Sequence, residues 1–210
     1  MTAASLPPPV LPLKYVGGDP SLDLVNTVDW TAEGRRNERL TDYARLLVWA
    51  EGAGVASRGT VRRLDRLARR RPRAAAAALA EAHRVRDTLR RVFARVADGE
   101  RPTRELAELN TALAAALAHL ELMPGGRGRP AFAWRGTATD LRAPLWPVVW
   151  AAARLLASDE AARLRVCGGA DCGWMYVDRS RNRLRRWCEM ETCGTRAKSR
   201  RRRERRRSKL

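Results

Sequence analysis

The chain has 210 residues, 45% of them hydrophobic, with a formal net charge of +19 at pH 7. That length suffices for one well-packed core plus a small appendage. No apolar run reaches the ~18 residues that a membrane span requires. A soluble protein is therefore expected, and so large a basic excess implies a polyanionic partner, most commonly nucleic acid.

The charge is unevenly spread. Residues 167–210 carry fifteen Lys and Arg against five Asp and Glu, while the first 166 carry 27 against 18. Arginine outnumbers lysine throughout, with Lys14, Lys198 and Lys209 the only lysines. An alanine-rich, arginine-rich body also accompanies high genomic GC content, but clustering at one end does not follow from codon usage.

Residues 1–14 are proline-rich and aperiodic, which predicts a disordered or extended leader. Their apolar residues are interrupted by prolines and no basic n-region precedes them, so no secretory signal is read and a cytoplasmic location is expected. A domain is then expected over 15–164. Gly17 to Thr27 opens with a turn and continues at helical spacing, with Asp19 or Ser21 as cap. Within it, Asp23, Asn26 and Thr27 are candidates for lining a small-molecule cleft; the plainer reading is that the Asn26 amide caps a backbone turn.

Helices are predicted over Thr41 to Gly52, Thr60 to Arg70, Ala74 to Ala97 and Thr103 to Leu117. In the first, Tyr43, Leu46, Leu47 and Ala50 share one face. In the second, Val61, Leu64, Leu67 and Ala68 point inward and arginines outward. The third places Arg84, Arg86, Arg90, Arg91 and Arg95 away from its apolar stripe, on what reads as a solvated face. Thr103 is the expected cap of the fourth. Alternation over 119–123 and 131–135, around Gly125-Gly-Arg-Gly, reads as a β-hairpin. Pro144 to Ala157 is the most apolar helix, with Trp146 and Trp150 one turn apart.

His83 and His119 stand apart, and no acid–base pair or nucleophile emerges at convincing spacing, so no catalysis is expected. A short helix from Ser158 runs into Arg165-Val166 without a flexible linker, which predicts that the C-terminal segment is held against the body.

All four cysteines lie in that C-terminal segment. Cys167 and Cys172, and Cys188 and Cys193, form two C-x4-C pairs separated by fifteen residues. Each pair lets one turn aim two thiolates at a common point, the pattern of a tetrahedral zinc site. Two disulfides are the rival, disfavoured in a reducing compartment. Four sulfurs close the coordination sphere, so a single structural Zn2+ is read rather than a catalytic one. Gly173 and Gly194 each follow a cysteine, where positive φ is often needed. Trp174 to Asp178 alternates as a strand. Ser180 could cap a helix carrying Arg181, Arg183, Arg185, Arg186 and Trp187, and helix-forming composition resumes at Thr195. Ten basic residues and one acid lie between Arg196 and Lys209, with no apolar residue after Ala197 until Leu210. Alone, such a segment should be disordered or a frayed helix.

Cys167, Cys172-Gly-Trp, Asp178-Arg-Ser-Arg, Arg185-Arg-Trp-Cys188, Met190 and Cys193-Gly, followed by Arg196, Ala197 and Lys198, resemble the CGNR zinc finger. Thr195 departs from the asparagine of the family's name. In that family the finger follows an ABATE domain, associated with stress-induced transcription regulation, and Gly17-Gly-Asp-Pro-Ser-Leu-Asp-Leu-Val-Asn26-Thr27 is similar to the opening of that domain. The expected architecture is mainly α: a helical ABATE-like domain with a small β-hairpin, a zinc-ribbon or treble-clef-like finger over 165–198, and a basic helix or tail over 199–210.

The resemblance implies a transcription regulator. On this reading Arg179, Arg181, Arg183, Arg185, Arg186, Arg196, Lys198, Arg200, Arg201, Arg202 and Arg203 would contact nucleic acid, DNA before RNA. The body would sense an effector of unknown identity or form a homodimer. An enzymatic or small-molecule-binding body is the alternative.

Overall fold

In a computed structural model, residues 11–31 and 33–207 are described. The core is built around α1 (Pro20–Val25), a helix of only six residues in which Leu22, Leu24 and Val25 are completely buried. Its cap is Asp19, whose side chain accepts from Ser21 N at 2.8 Å. A short antiparallel hairpin comes next, β1 (Asp29–Thr31) with β2 (Gly34–Arg36). Three-residue strands carry too little alternation to be read from sequence.

Beyond it lie α2 (Tyr43–Gly52), α3 (Arg58–Arg70), α4 (Pro72–Ala97) and α5 (Thr103–Leu117). Asp42 and Ser57 cap α2 and α3, accepting from Arg45 N at 2.8 Å and Thr60 N at 3.1 Å. The expected cap Thr103 does not act as such: α5 begins after Pro102 without a side-chain cap. Helix α4, about 39 Å long at 1.5 Å per residue, packs on α1, α2, α3 and α5.

The predicted hairpin is β3 (Leu120–Pro124) with β4 (Pro130–Trp134), pairing Leu122 with Phe132. Helix α6 (Trp146–Leu156) completes the body against α1 and α5, with Trp146 buried and stacked on His119 at 3.7 Å between ring centroids. His83 Nε2 lies 3.0 Å from the Leu40 carbonyl. No helix of the described residues is long and apolar enough to cross a membrane.

One expectation for α4 fails outright. Arg86 is not on a solvated face but completely buried; its guanidinium donates to both Glu38 oxygens, at 2.7 and 2.6 Å, and to Thr27 Oγ1 at 3.1 Å. Burial alone would raise the Glu38 carboxyl, but the Arg86 bonds hold it below its ordinary value. Arg90 sits over the Trp30 ring at 5.6 Å. Periodicity places both residues off the apolar stripe, and nothing local indicates that β1 and the chain after β2 fold over that side.

Candidate metal centre and basic helix

The finger begins with β5 (Leu164–Val166) and β6 (Met175–Val177), paired antiparallel across the first cysteine turn. The Cys167, Cys172, Cys188 and Cys193 sulfurs all lie within 4.8 Å of one another, and all four residues are buried. Two of the separations are 3.6 Å (Cys172–Cys188) and 3.7 Å (Cys188–Cys193). A tetrahedron with metal–sulfur bonds of 2.3 Å has sulfur–sulfur edges of ~3.8 Å.

Thiols this close conflict electrostatically. Hydrogen bonds from Cys172 and Cys188 pull Cys167 down to about 2, while the same contacts push Cys172 and Cys188 up. A divalent cation removes the conflict by letting all four serve as thiolates. The backbone N–H groups of Gly169 and Cys188, 3.4 and 3.3 Å from the Cys167 sulfur, donate to it. The donor set fits one structural zinc ion.

The glycines are fixed for two different reasons. Gly173 has φ 62°, and a Cβ there would lie 2.0 Å from the Trp30 carbonyl oxygen. Gly194 has no positive φ, contrary to expectation; a Cβ there would meet the Met190 sulfur at 2.4 Å. Met190–Gly194 form a π-helical turn carrying the last ligand, and α7 (Thr195–Arg207) continues directly from it. Thr195, in place of the family asparagine, donates to the Met190 carbonyl at 3.2 Å.

The helix expected after Ser180 is absent. Residues 181–187 form turns and extended chain, with Arg183 in the left-handed region at φ 51°. The cause is Asp178, whose carboxylate accepts from Ser180 N, Ser180 Oγ and Arg185 N at 2.9, 2.6 and 3.1 Å. These bonds fold the segment back onto itself and compete with a helical ladder. Burial would raise the Asp178 carboxyl, but these bonds hold it below its usual value.

The finger is joined to the body by paired polar contacts. Asn26 Nδ2 donates to the Met175 carbonyl and its Oδ1 accepts from Met175 N, both at 2.8 Å, so the side chain mimics a strand partner for β6. Trp174 Nε1 donates to the Val28 carbonyl at 3.1 Å, and Trp30 N to the Cys172 carbonyl at 3.0 Å. Val177 N donates to the Gly17 carbonyl at 2.9 Å. Met175 and Val177 belong to the main hydrophobic core. Arg39, which sequence reading did not single out, pairs with Asp29 at 3.0 Å and lies over the Trp174 ring at 4.9 Å.

Asp23, Asn26 and Thr27 are all buried, and their polar atoms are engaged by the protein. Asp23 Oδ1 accepts from Gly17 N at 2.9 Å; Thr27 Oγ1 donates to the Leu24 carbonyl at 2.7 Å and accepts from Arg86. Asn26 reaches the finger, while Asp23 and Thr27 are bonded within the body behind it. Part of the expected leader joins them: Leu13 packs on the core and Lys14 ion-pairs with Glu189, while residues 1–10 lie outside the described residues.

The basic candidates divide in two. Arg179 forks onto Glu160 at 2.6 and 2.8 Å and donates to the Gly18 carbonyl at 2.8 Å. Arg185 lies over the Tyr176 ring at 4.2 Å and donates to the carbonyls of Val16, Trp187 and Cys188. Both brace the finger. Arg181, Arg183 and Arg186 lie on the loop, all three exposed, with Arg186 over the Trp187 ring at 5.5 Å. Arg196, Lys198, Arg200, Arg201, Arg202 and Arg203 are exposed on α7, together with Arg205, Arg206 and Arg207. Ala197 is the one buried residue of α7. Lys198, Arg201, Arg202, Arg205 and Arg206 line a single groove along its surface.

Comparison with known families agrees with this architecture. Residues 18–159 match ABATE, described as "Putative stress-induced transcription regulator", and residues 163–206 match the CGNR zinc finger. No curated protein matches the chain. With the first profile spanning most of the chain and the second covering the cysteine cluster, the protein belongs to the ABATE family and carries a CGNR zinc finger at its C-terminal end.

Proposed function

We propose that the protein is a non-enzymatic, zinc-dependent DNA-binding transcription regulator acting in the cytoplasm, with α7 and the 181–186 loop gripping the phosphate backbone. The observation that carries this reading is α7 itself. It has nine basic residues and one acid, Glu204, starts within two residues of the last zinc ligand, and buries only Ala197. An isolated arginine-rich helix has little to hold it in shape. This one is anchored by Cys193 and the π-helical turn, so its direction is set by the metal centre. Guanidinium forks on such a helix can bind phosphates bidentately and read guanine edges.

Truncation after Ser199 tests the assignment. Each lost phosphate contact should remove roughly 0.9 from the log–log salt dependence of duplex binding. A slope identical to that of the intact chain would show that α7 makes no phosphate contacts.

A further inference from the structure

A second strongly basic surface lies on the body, away from the finger. Residues 58–73, α3 and the start of α4, contain eight arginines and one acid, Asp65. All eight are exposed. Only Arg69 has an ion-pair partner among the described residues, Asp65 at 3.0 Å. Elsewhere on the body several arginines are matched to carboxylates, Arg35 to Asp87, Arg39 to Asp29, Arg86 to Glu38, Arg91 to Glu108, Arg95 to Glu100 and Glu105, and those without an ion pair, such as Arg84, Arg101, Arg104, Arg129 and Arg154, are scattered. Seven of the eight arginines of 58–73 lack an ion-pair partner among the described residues, a density reached by no other stretch of the body.

The geometry of α3 organises that charge. Arg58, Arg62, Arg66 and Arg69 recur at i, i+4, i+8 and i+11, within about 80° of arc at 100° per residue, along ~17 Å of axis. The opposite face carries Leu64, buried, with Val61, Leu67 and Ala68 packed on the core. The basic stripe therefore points to solvent from a helix whose position the core fixes. Like charges one turn apart destabilise a helix, so the stripe, paired only at Arg69, carries a cost that an anionic partner would relieve. Leu67 shares a surface hollow with Ala74, Ala77 and Ala78 near the start of α4, whereas the finger approaches α4 near Arg90. The two regions are roughly 20 Å apart along the α4 axis.

We propose that the Arg58–Arg62–Arg66–Arg69 stripe is a second phosphate-binding face for duplex DNA, independent of α7. The ligand class is the one proposed for the finger, and in that respect this inference rests on that reading, but the residues are separate and so is the test. Two such faces on one rigid body allow the protein to hold two duplex segments, or two stretches of one bent duplex.

The test compares three zinc-loaded proteins, each binding a 30-base-pair duplex across a salt series. The first replaces the stripe with glutamine (Arg58→Gln, Arg62→Gln, Arg66→Gln, Arg69→Gln), a residue of similar helix propensity. The second makes the same charge change at scattered exposed positions (Arg101→Gln, Arg104→Gln, Arg129→Gln, Arg154→Gln). The third ends after Ser199 and keeps α3 intact. The stripe variant should lose about 2 to 4 from the log–log slope, the scattered variant less than 1, and the truncated protein should retain salt-dependent binding. Equal losses in the first two would reduce the effect to net charge and overturn the proposal. An unchanged slope in the stripe variant would overturn it whatever the truncation does. A loss confined to the stripe variant, with the truncation silent, would overturn the α7 reading and leave this one standing. Helical circular dichroism and one zinc per chain in every variant establish that folding is retained.

Discussion

Asn26 makes its two hydrogen bonds to a residue 149 positions away in the chain, and both are buried. Asn26→Ala would leave the N–H and C=O of Met175 without partners, which costs roughly 1–3 kcal/mol for each buried group left unsatisfied. We expect chemical denaturation to show a loss of about 2–4 kcal/mol; unchanged stability would mean that β6 is not held by this residue. Asp23, in the preceding turn of the same helix, is under a different stress. Burial first, and Asp19 nearby, raise its carboxyl to about 6, against bonds from the backbone at Gly17 and Val16 that lower it. A carboxyl whose folded value is raised stabilises the fold while protonated, and that contribution is lost as pH climbs from about 4 to about 6. Asp23→Asn keeps the acceptor for Gly17 N without the charge. Its stability relative to the parent should be level near pH 4 and grow to at most about 3 kcal/mol above pH 7. Parallel unfolding curves across that range would contradict the assignment.

At the scale of elements, the four ligands and one strand of the finger, β6, were legible because spacing encodes them locally, in two C-x4-C turns and alternation from Trp174 to Asp178, whereas its three-residue partner β5 carries too little pattern to be read. The helix after Ser180 was misread because Ser-Arg-Asn-Arg-Leu-Arg-Arg has helix-forming composition, while the deciding group, the Asp178 carboxylate, lies outside the segment and captures its backbone N–H groups. The roles of Arg86, Arg179 and Arg185 were not legible at all. Each is one arginine among many in sequence, and only Glu38, Glu160 and the Val16 carbonyl single them out. The coupling of finger to body was visible only as a missing linker; in space, Met175 and Val177 complete the main core. Metal loss should therefore propagate. Cys188→Ser should abolish stoichiometric zinc, and it should also lower the thermal midpoint of the helical body by several degrees, since loss of metal frees β6. An unaltered body transition would show two independent folding units.

At the scale of the whole molecule, one rigid arrangement links three features that the sequence presents separately: a buried asparagine on α1, a four-cysteine centre and an arginine-rich terminal helix. The body fixes β6 through Asn26, β6 continues from the first cysteine turn, and the second cysteine turn launches α7. The orientation of the basic helix is thus inherited from the hydrophobic core through the metal centre, which is what a sequence-reading helix requires and a merely adhesive tail does not. The most direct test is selection of the zinc-loaded full chain against random duplex DNA at ~150 mM salt, with structured RNA as competitor. The account predicts an enriched duplex motif that survives the RNA and vanishes on truncation after Ser199. Binding with no motif, abolished by the RNA, would contradict it and leave RNA as the ligand.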